Sequence, residues 1–516
     1  MTQLLIPGLT CADVVTAPRA GMLVDGHDFY QAVVDACRTA ERSILMAGWQ
    51  FDANVHLLRG DEEARCDHPT RLIEFLADLC RTRKDLEIHV LAWDASAIFT
   101  FERMPFQKLK FRAKGCDRIH YEMDNKHPTG ASHHQKIVVV DDSIAMVGGM
   151  DICNARWDVR SHPAVSPLRV KKPYGRYTPF HDVQAFVTGD AVRTVRRWFY
   201  DRWQLATGAS LELGAMPVRD VPIRPSVEVE APMVALARTL PRMDDPASAP
   251  VIELYELHLR AIAAARRLIY IENQYLSCDE IATAIERRMR AETTEPLEVV
   301  LVLPEKSAGF KERISIGVYQ QRILERLGKV AAATGHHLGV YYTAARGPDG
   351  DVPVFIHAKV LAVDDRFLLV SSANTSNRSM GFDTELGLAW EAPSPTTSLR
   401  QARIDLLGEH VGLDGALADR VLGDPVGLVA RLDGLARGGQ HRLRMHARNV
   451  DEKPGWLLSK LVPDETPFDP DDPRDFHEAL PEPGRWLDRL IAEPLEVAWN
   501  AVRHRRARGT RSSLKR

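Results

Sequence analysis

Apolar residues recur at helical spacing over residues 29–40 and then run almost unbroken through SILMAGWQF at 43–51, which predicts a helix leading into a buried strand. The same order of signals returns at 253–265 and 267–276, the latter reading RLIYIENQYL. Two further strand-like runs, LEIHVLAWD at 86–94 and LEVVLVLPE at 297–305, each follow a charged helical stretch. A third pair, RIHYEM at 118–123 and LGVYYT at 338–343, completes the correspondence. Strands alternating with helices predict an α/β fold with mostly parallel, mixed sheets covered by helices, and the matched order predicts two pseudo-symmetric copies of one α/β/α unit.

Each copy then enters the same polar motif, H-x-K-x-x-x-x-D. In the first it is His134, Lys136 and Asp141, followed by Gly148, Gly149 and Asp151; in the second it is His357, Lys359 and Asp364, followed by Ser371, Ser372 and Asn374. The intervals are identical, so the repeat extends from hydrophobic pattern to chemistry. On this basis residues 1–206 form the first unit, 207–225 a Gly- and Pro-containing linker, 226–413 the second unit, and 414–516 a helical extension. That extension carries an acidic, Pro-rich segment at 463–483 and a basic tail at 503–516, read as a solvated tail or as a dock for anionic lipid. The first unit closes on the amphipathic stretch VRTVRRWFYDRW, whose Trp198, Phe199 and Trp203 are read as core anchors.

Composition narrows the class. A chain of 516 residues that is 45% hydrophobic and 27% charged is globular and too long for one core. With 67 Lys and Arg against 70 Asp and Glu there is no global attraction to nucleic acid, and no nucleic-acid partner is expected. Seven cysteines without C-x-x-C pairs argue for a reducing compartment and against a disulfide scaffold or structural zinc. Residues 1–20 lack a signal-peptide pattern, and no run approaches the length of a membrane span. A cytoplasmic monomer, at most peripheral to a membrane, is expected.

The chemistry follows from strand geometry. His and Lys two residues apart project from one face of a strand, whereas the Asp, seven residues from the His, has opposite parity. The His and Lys therefore share a site, and Asp141 and Asp364 are read as turn-fixing residues. An imidazole beside an ammonium suits a phosphate, since Lys neutralises its oxygens and His can attack phosphorus or protonate a leaving alcohol. Ser372 and Asn374 are positioned to donate to phosphate oxygens; the matching Gly149 and Asp151 make the first half electrically different, with Asp151 able to tether Lys136 or its loop. Glu272, Asn273 and Gln274, at the end of a strand, are read equally as pocket wall or as buried hydrogen-bonding groups. Each histidine also needs a carboxylate behind it, and the internal alignment assigns Asp182 to His134 and Glu385 to His357. The first copy is 20 residues longer here, with Arg169, Lys171, Lys172 and Arg176 in the insertion, read as a solvated loop or a headgroup-facing lid. His133 is read as a packing residue, because no metal-ligand spacing accompanies it; neither a metal nor a cofactor is expected.

With two H-x-K-x-x-x-x-D motifs in one chain, the sequence resembles the phospholipase D superfamily. HHQKIVVVD, GGMDICNARWD, the HDVQ segment, IENQYL and SSANTSNRSM are more similar to true phospholipases D than to the nucleases of that superfamily, and LLGEHVGL at 406–413 resembles the segment that closes their catalytic region. Two departures are Ser371 in place of the usual Gly and Asp151 in place of a frequent Asn, although Asp occurs in the eukaryotic type. The resemblance implies two copies packed face to face about a pseudo-two-fold axis around one active site, with both histidines converging on one phosphodiester of a phospholipid at a membrane surface, without a catalytic metal. It further implies His134 as nucleophile forming a phosphohistidine and His357 as general acid/base, giving hydrolysis to phosphatidic acid or headgroup exchange. Another phosphodiesterase of the superfamily, or a catalytically silent binding protein, are the alternatives; intact motifs in both copies weigh against the last.

Overall fold

The computed structural model describes residues 3–446 other than 95–106, 115, 129, 172–174, 215, 244–248, 292–294 and 307–309. The expectations for the acidic Pro-rich segment, the basic tail and Lys172 lie outside the described residues. Within them, two mixed sheets, one for each copy the repeated pattern predicts, stand face to face in an α/β/β/α sandwich, as the resemblance implies.

The first sheet runs, from edge to edge, Val227–Glu228, Ala20–Val24, Val183–Val187, Ile144–Gly148, Ile137–Val140, Ser43–Gly48, Glu87–Trp93, Ile119–Asp124. Its last three strands are parallel, whereas the strands that follow the histidine motif pair antiparallel to their neighbours. The second sheet repeats this order with Met233–Leu240, Glu385–Glu391, Phe367–Ser371, Lys359–Val363, Leu268–Asn273, Glu298–Val302 and His337–Gly347. Parallel pairing again joins the last three.

Strand alternation explains the layering. In Ser43–Gly48, Leu45 and Ala47 enter a central cluster shared with Val300, Val302, Val360 and Leu388 of the other sheet, while Ile44 and Met46 face outward. Helices Asp25–Cys37 and Leu72–Thr82 cover that outer face through Phe29, Val33, Phe75 and Leu76. Glu253–Ala264, Asp279–Arg290 and the later part of Phe310–Thr334 do the same for the second sheet. Phe199 and Trp203, on helix Asp190–Thr207, pack in the central cluster, with Trp198 against its border.

The sheets are not cut where the sequence units are. Asp13–Thr16 crosses to pair with Met233–Leu240, and Val227–Glu228 returns to pair with Ala20–Val24. Leu443–Met445 adds to His337–Gly347, so residues 414–446 are integrated with the second sheet rather than appended to it. Cys80 and Cys116 are paired as one disulfide, which falls short of the disulfide scaffold the scattered cysteines argue against; nothing in their sequence spacing announces that a helix and a loop bring them together. No helix among the described residues is long and apolar enough to cross a membrane.

The motif aspartates secure the sheet at the end away from the histidines. Asp141 accepts the backbone N–H groups of Glu41, Arg42 and Ser43, which start the neighbouring strand, and Asp364 does the same for Arg266, Arg267 and Leu268. Both sit at positive φ, 48° and 52°, where the chain turns back to the next strand. Removing the carboxylate leaves three strand-initiating donors without an acceptor. Asp141→Ala should therefore lower unfolding free energy by about 3–5 kcal/mol in a urea titration, with Asp141→Asn losing less.

Candidate active site

The segments that precede the two motif strands cross from one unit to the other. His133 bridges in parallel to Thr384, and Phe355–Ile356 pairs in parallel with Phe180–His181. The His134 N–H donates to the Thr384 carbonyl, and the His357 N–H donates to the His181 carbonyl, at 3.0 and 2.8 Å. Each histidine is thereby set beside the residue that follows in the opposite unit, Glu385 or Asp182.

The carboxylates consequently serve the opposite histidines from those assigned by internal alignment. His134 Nδ1 lies 3.0 Å from both oxygens of Glu385, and His357 Nδ1 lies 2.6 Å from Asp182 Oδ2. Alignment within the chain matches positions, but a two-fold arrangement brings each carboxylate to the partner unit's ring. Both carboxylates are fully buried. With Nδ1–H directed at a carboxylate, Nε2 of each ring is the nitrogen left for a substrate. Both histidines line one cavity of about 580 Å³.

The lysines lie beside their own histidines, as strand parity predicts. Lys136 Nζ donates to the His134 carbonyl at 2.8 Å and pairs with Asp151 Oδ2 at 3.3 Å. Lys359 Nζ donates to the His357 carbonyl and, at 3.4 Å, to Gln274 Oε1, and lies 3.1 Å from His357 Nδ1. Burial pushes Asp182 up to about 7 against the pull of Lys359, and burial pushes Lys359 down to about 7 against the pull of Asp182. Burial, then the charges of Lys359, Arg156 and Lys136, hold His357 well below the usual imidazole range. Arg156, Lys171 and Arg378 also line the cavity, so an anion bound there would offset the positive charge around His357.

The remaining predicted residues divide between wall and scaffold. Asn374 and Gln274 line the cavity, and Asn374 Oδ1 accepts no hydrogen bond within the described residues. Asp151 also lines it and tethers both Lys136 and the loop, since its Oδ1 accepts the N–H groups of Trp49 and Gln50. Ser372 does not face a phosphate: its hydroxyl donates to Glu385 and its oxygen accepts the Leu386 N–H. At the matching position a Cβ on Gly149 would stand 2.2 Å from Asp182 Oδ1, so glycine there makes room for the carboxylate, and its N–H is spent on the Val183 carbonyl. Glu272 is buried away from the cavity among His181, His410 and Tyr270. Asn273 is equally internal, accepting the N–H groups of Tyr275 and Thr375. Gly149 and Ser372 thus act as supports in place of phosphate contacts, and Glu272 and Asn273 take the buried hydrogen-bonding alternative. His133 packs between Thr384 and Asp124 as expected.

Sequence reasoning missed Arg156, Arg378 and the aromatic wall. Arg156 lines the cavity and lies 4.9 Å from the Phe180 ring centroid; Trp49, Trp93, Tyr275 and Phe355 line other parts. The DICNARWD sequence just after Asp151 was the available signal for Arg156; nothing marked Arg378. The insertion resolves into wall rather than solvated loop: Lys171, Tyr177, Thr178 and Phe180 face the cavity. Arg169 is buried on Asp158 at 2.9 Å, and Arg176 is exposed.

Comparison with known proteins places this geometry. Residues 36–230 match the family described as Phospholipase D, and residues 258–403 match the one described as Cardiolipin synthase, PLD-like domain. Phospholipase D alpha 4 of Arabidopsis thaliana is 23% identical, the alignment covering 75% of this chain and 64% of that protein. Phospholipase D A of Dictyostelium discoideum is 25% identical over 72% of this chain and 32% of its own length, so the chain spans less than two thirds of these relatives. The solved phosphatidylserine synthase of Haemophilus influenzae shares the fold, with a TM-score of 0.50, 13% identity, and coverage of 82% of this chain and 94% of that one.

The crossed pairing is directly testable in histidine-labelled protein. Glu385→Gln should shift the His134 ring ¹⁵N resonances and leave those of His357 in place, and Asp182→Asn should do the reverse. Own-unit pairing would give the opposite attribution.

Proposed function

The chain belongs to the phospholipase D superfamily, and on that premise we propose that it is a phospholipase D. It would cleave the distal phosphodiester of a glycerophospholipid at a membrane surface to phosphatidic acid and free headgroup, and pass the phosphatidyl group to alcohols. The observation that carries this reading is the pair of histidines on one cationic cavity, each backed by a buried carboxylate from the opposite unit.

In this scheme His134 Nε2 attacks phosphorus while His357 gives its proton to the headgroup oxygen, so the P–O bond breaks as the P–N bond forms. The phosphodiester anion cancels the repulsion that Lys359, Arg156 and Lys136 impose on His357, which lets that ring hold the proton it must deliver. Lys136, Lys359 and Asn374 face the phosphate oxygens, and the aromatic wall receives the apolar part of the lipid. His357 then removes a proton from water or an alcohol, whose oxygen displaces His134 from phosphorus. No cofactor is required, and a monomer suffices because both histidines come from one chain. With five of the described cysteines free, a cytoplasmic location peripheral to a membrane goes with this reading. The second reading, a cardiolipin synthase-like phosphatidyltransferase, is favoured by the family matched at residues 258–403.

Purified protein incubated with phosphatidylcholine vesicles should release phosphatidic acid, and phosphatidylethanol when ethanol is present. Transfer to phosphatidylglycerol without hydrolysis would favour the second reading; degradation of single-stranded DNA with no lipid product would sink both. His134→Ala and His357→Ala should each lose activity by more than about a hundredfold. A ³²P label trapped on His357 rather than His134 would exchange their roles while leaving two-step transfer intact.

A further inference from the structure

Behind the cavity, on the far side of His181–Asp182, lies a second set of titratable groups that the proposed chemistry does not use. Asp25, His162, His181 and Glu409 are buried and converge from four separate parts of the chain. His162 Nε2 lies 3.0 Å from Glu409 Oε1 and 3.4 Å from Asp25 Oδ2; His181 Nδ1 lies 2.7 Å from Glu409 Oε1 and 3.1 Å from Asp25 Oδ1. We propose that this His162, His181, Asp25, Glu409 tetrad is a structural binding site for a divalent transition-metal ion, best matched by zinc.

Three observations converge on it. Two imidazoles and two carboxylates are the nitrogen and oxygen donors that zinc takes, with no sulfur required. The remaining nitrogen of each ring is held by a further carboxylate: His162 Nδ1 by Asp158 at 3.0 Å and His181 Nε2 by Glu272 at 3.0 Å. That backing orients a metal-bound imidazole and fixes which nitrogen is presented. Finally, Asp25 Oδ2 is buried, aimed into the tetrad, and accepts no hydrogen bond from it. Its 3.4 Å from His162 Nε2 matches the edge of a tetrahedron around zinc, about 3.3–3.6 Å for bonds near 2.0–2.2 Å, while the contacts of His162 and His181 with Glu409 Oε1, at 3.0 and 2.7 Å, would open to that length as the two protons leave.

Binding displaces one proton from His162 Nε2 and one from His181 Nδ1, so the ion's two charges replace those of two imidazolium groups among the same carboxylates. Arg160, on Glu409 Oε2 at 2.6 Å, and Arg169, on Asp158, complete the balance. Glu409 also lines a cavity of about 530 Å³ with Arg160, Asp405 and Arg442, which gives an ion a way in. The site would fasten helix Thr397–Val411 to the segment carrying Asp182, and so brace the carboxylate behind His357 from outside the pocket.

The test is elemental analysis of the full chain expressed in zinc-supplemented medium and dialysed against EDTA. About one zinc per chain is expected, with an anomalous diffraction peak at the zinc edge between His162 Nε2 and His181 Nδ1. His162→Asn should lose the ion; Cys66→Ser, at the solvent-accessible Cys66, Asp67 and His68 group, should keep it. Zinc below about a tenth of an equivalent in the wild-type chain overturns the proposal, because both rings are then imidazolium ions donating to four carboxylates. Loss of zinc in Cys66→Ser, or a peak at that surface group, overturns it equally. The wild-type stoichiometry and the position of the peak stand whether or not His162→Asn folds.

Discussion

Two carboxylates with no solvent exposure, Asp182 and Glu385, hold the structure's halves in a single arrangement. Each would be costly to bury without a partner, and beside one donor of its own unit, Val183 N–H for Asp182 and the Ser372 hydroxyl for Glu385, each is paired with the ring presented by the other unit. The parallel bridges of His133 with Thr384 and of His181 with Ile356 bring the chains into that register. Neither carboxylate is given an imidazole by its own unit, so packing of the sheets completes the site.

The two halves then diverge in what surrounds the shared plan. Lys136 is neutralised by Asp151, whereas Lys359 meets the neutral amide of Gln274. Position 149 must be glycine to admit Asp182, while the equivalent Ser372 contributes a hydroxyl to Glu385. The first unit alone supplies Lys171, Tyr177 and Phe180 from its insertion to the cavity wall. Such inequality suits a pair of histidines with different tasks, one bonding to phosphorus and one moving protons.

The motif works at both ends of its strand. The His enters the cavity with the Lys packed beside it, and the aspartate at the far end caps the start of the adjacent strand through three backbone donors. Fixing that turn fixes the strand's register, and a one-residue slip would turn Lys136 or Lys359 out of the site. Fold and chemistry are thus tied within eight residues. Behind them, the buried histidines and carboxylates around Glu409 join the C-terminal helix to the same support.

Local pattern determined a great deal. The repeat of strand order, the His and Lys sharing one face, and the outward role of Asp141 and Asp364 are all consequences of a side-chain period of two, which a linear sequence carries in full. The carboxylates Asp182 and Glu385 were also legible as partners, but not whose partners they were. Internal alignment preserves order along the chain, while a two-fold axis exchanges neighbours in space. The same limit hid the crossing of Asp13–Thr16 and Val227–Glu228 between sheets, and the meeting of Cys80 with Cys116. Glu272, Asn273, Gly149 and Ser372 lie near the motif in sequence yet turn their polar groups inward. Proximity is set by sequence; direction is set by which buried groups must be satisfied, and that requirement exists only once the two sheets have closed on each other.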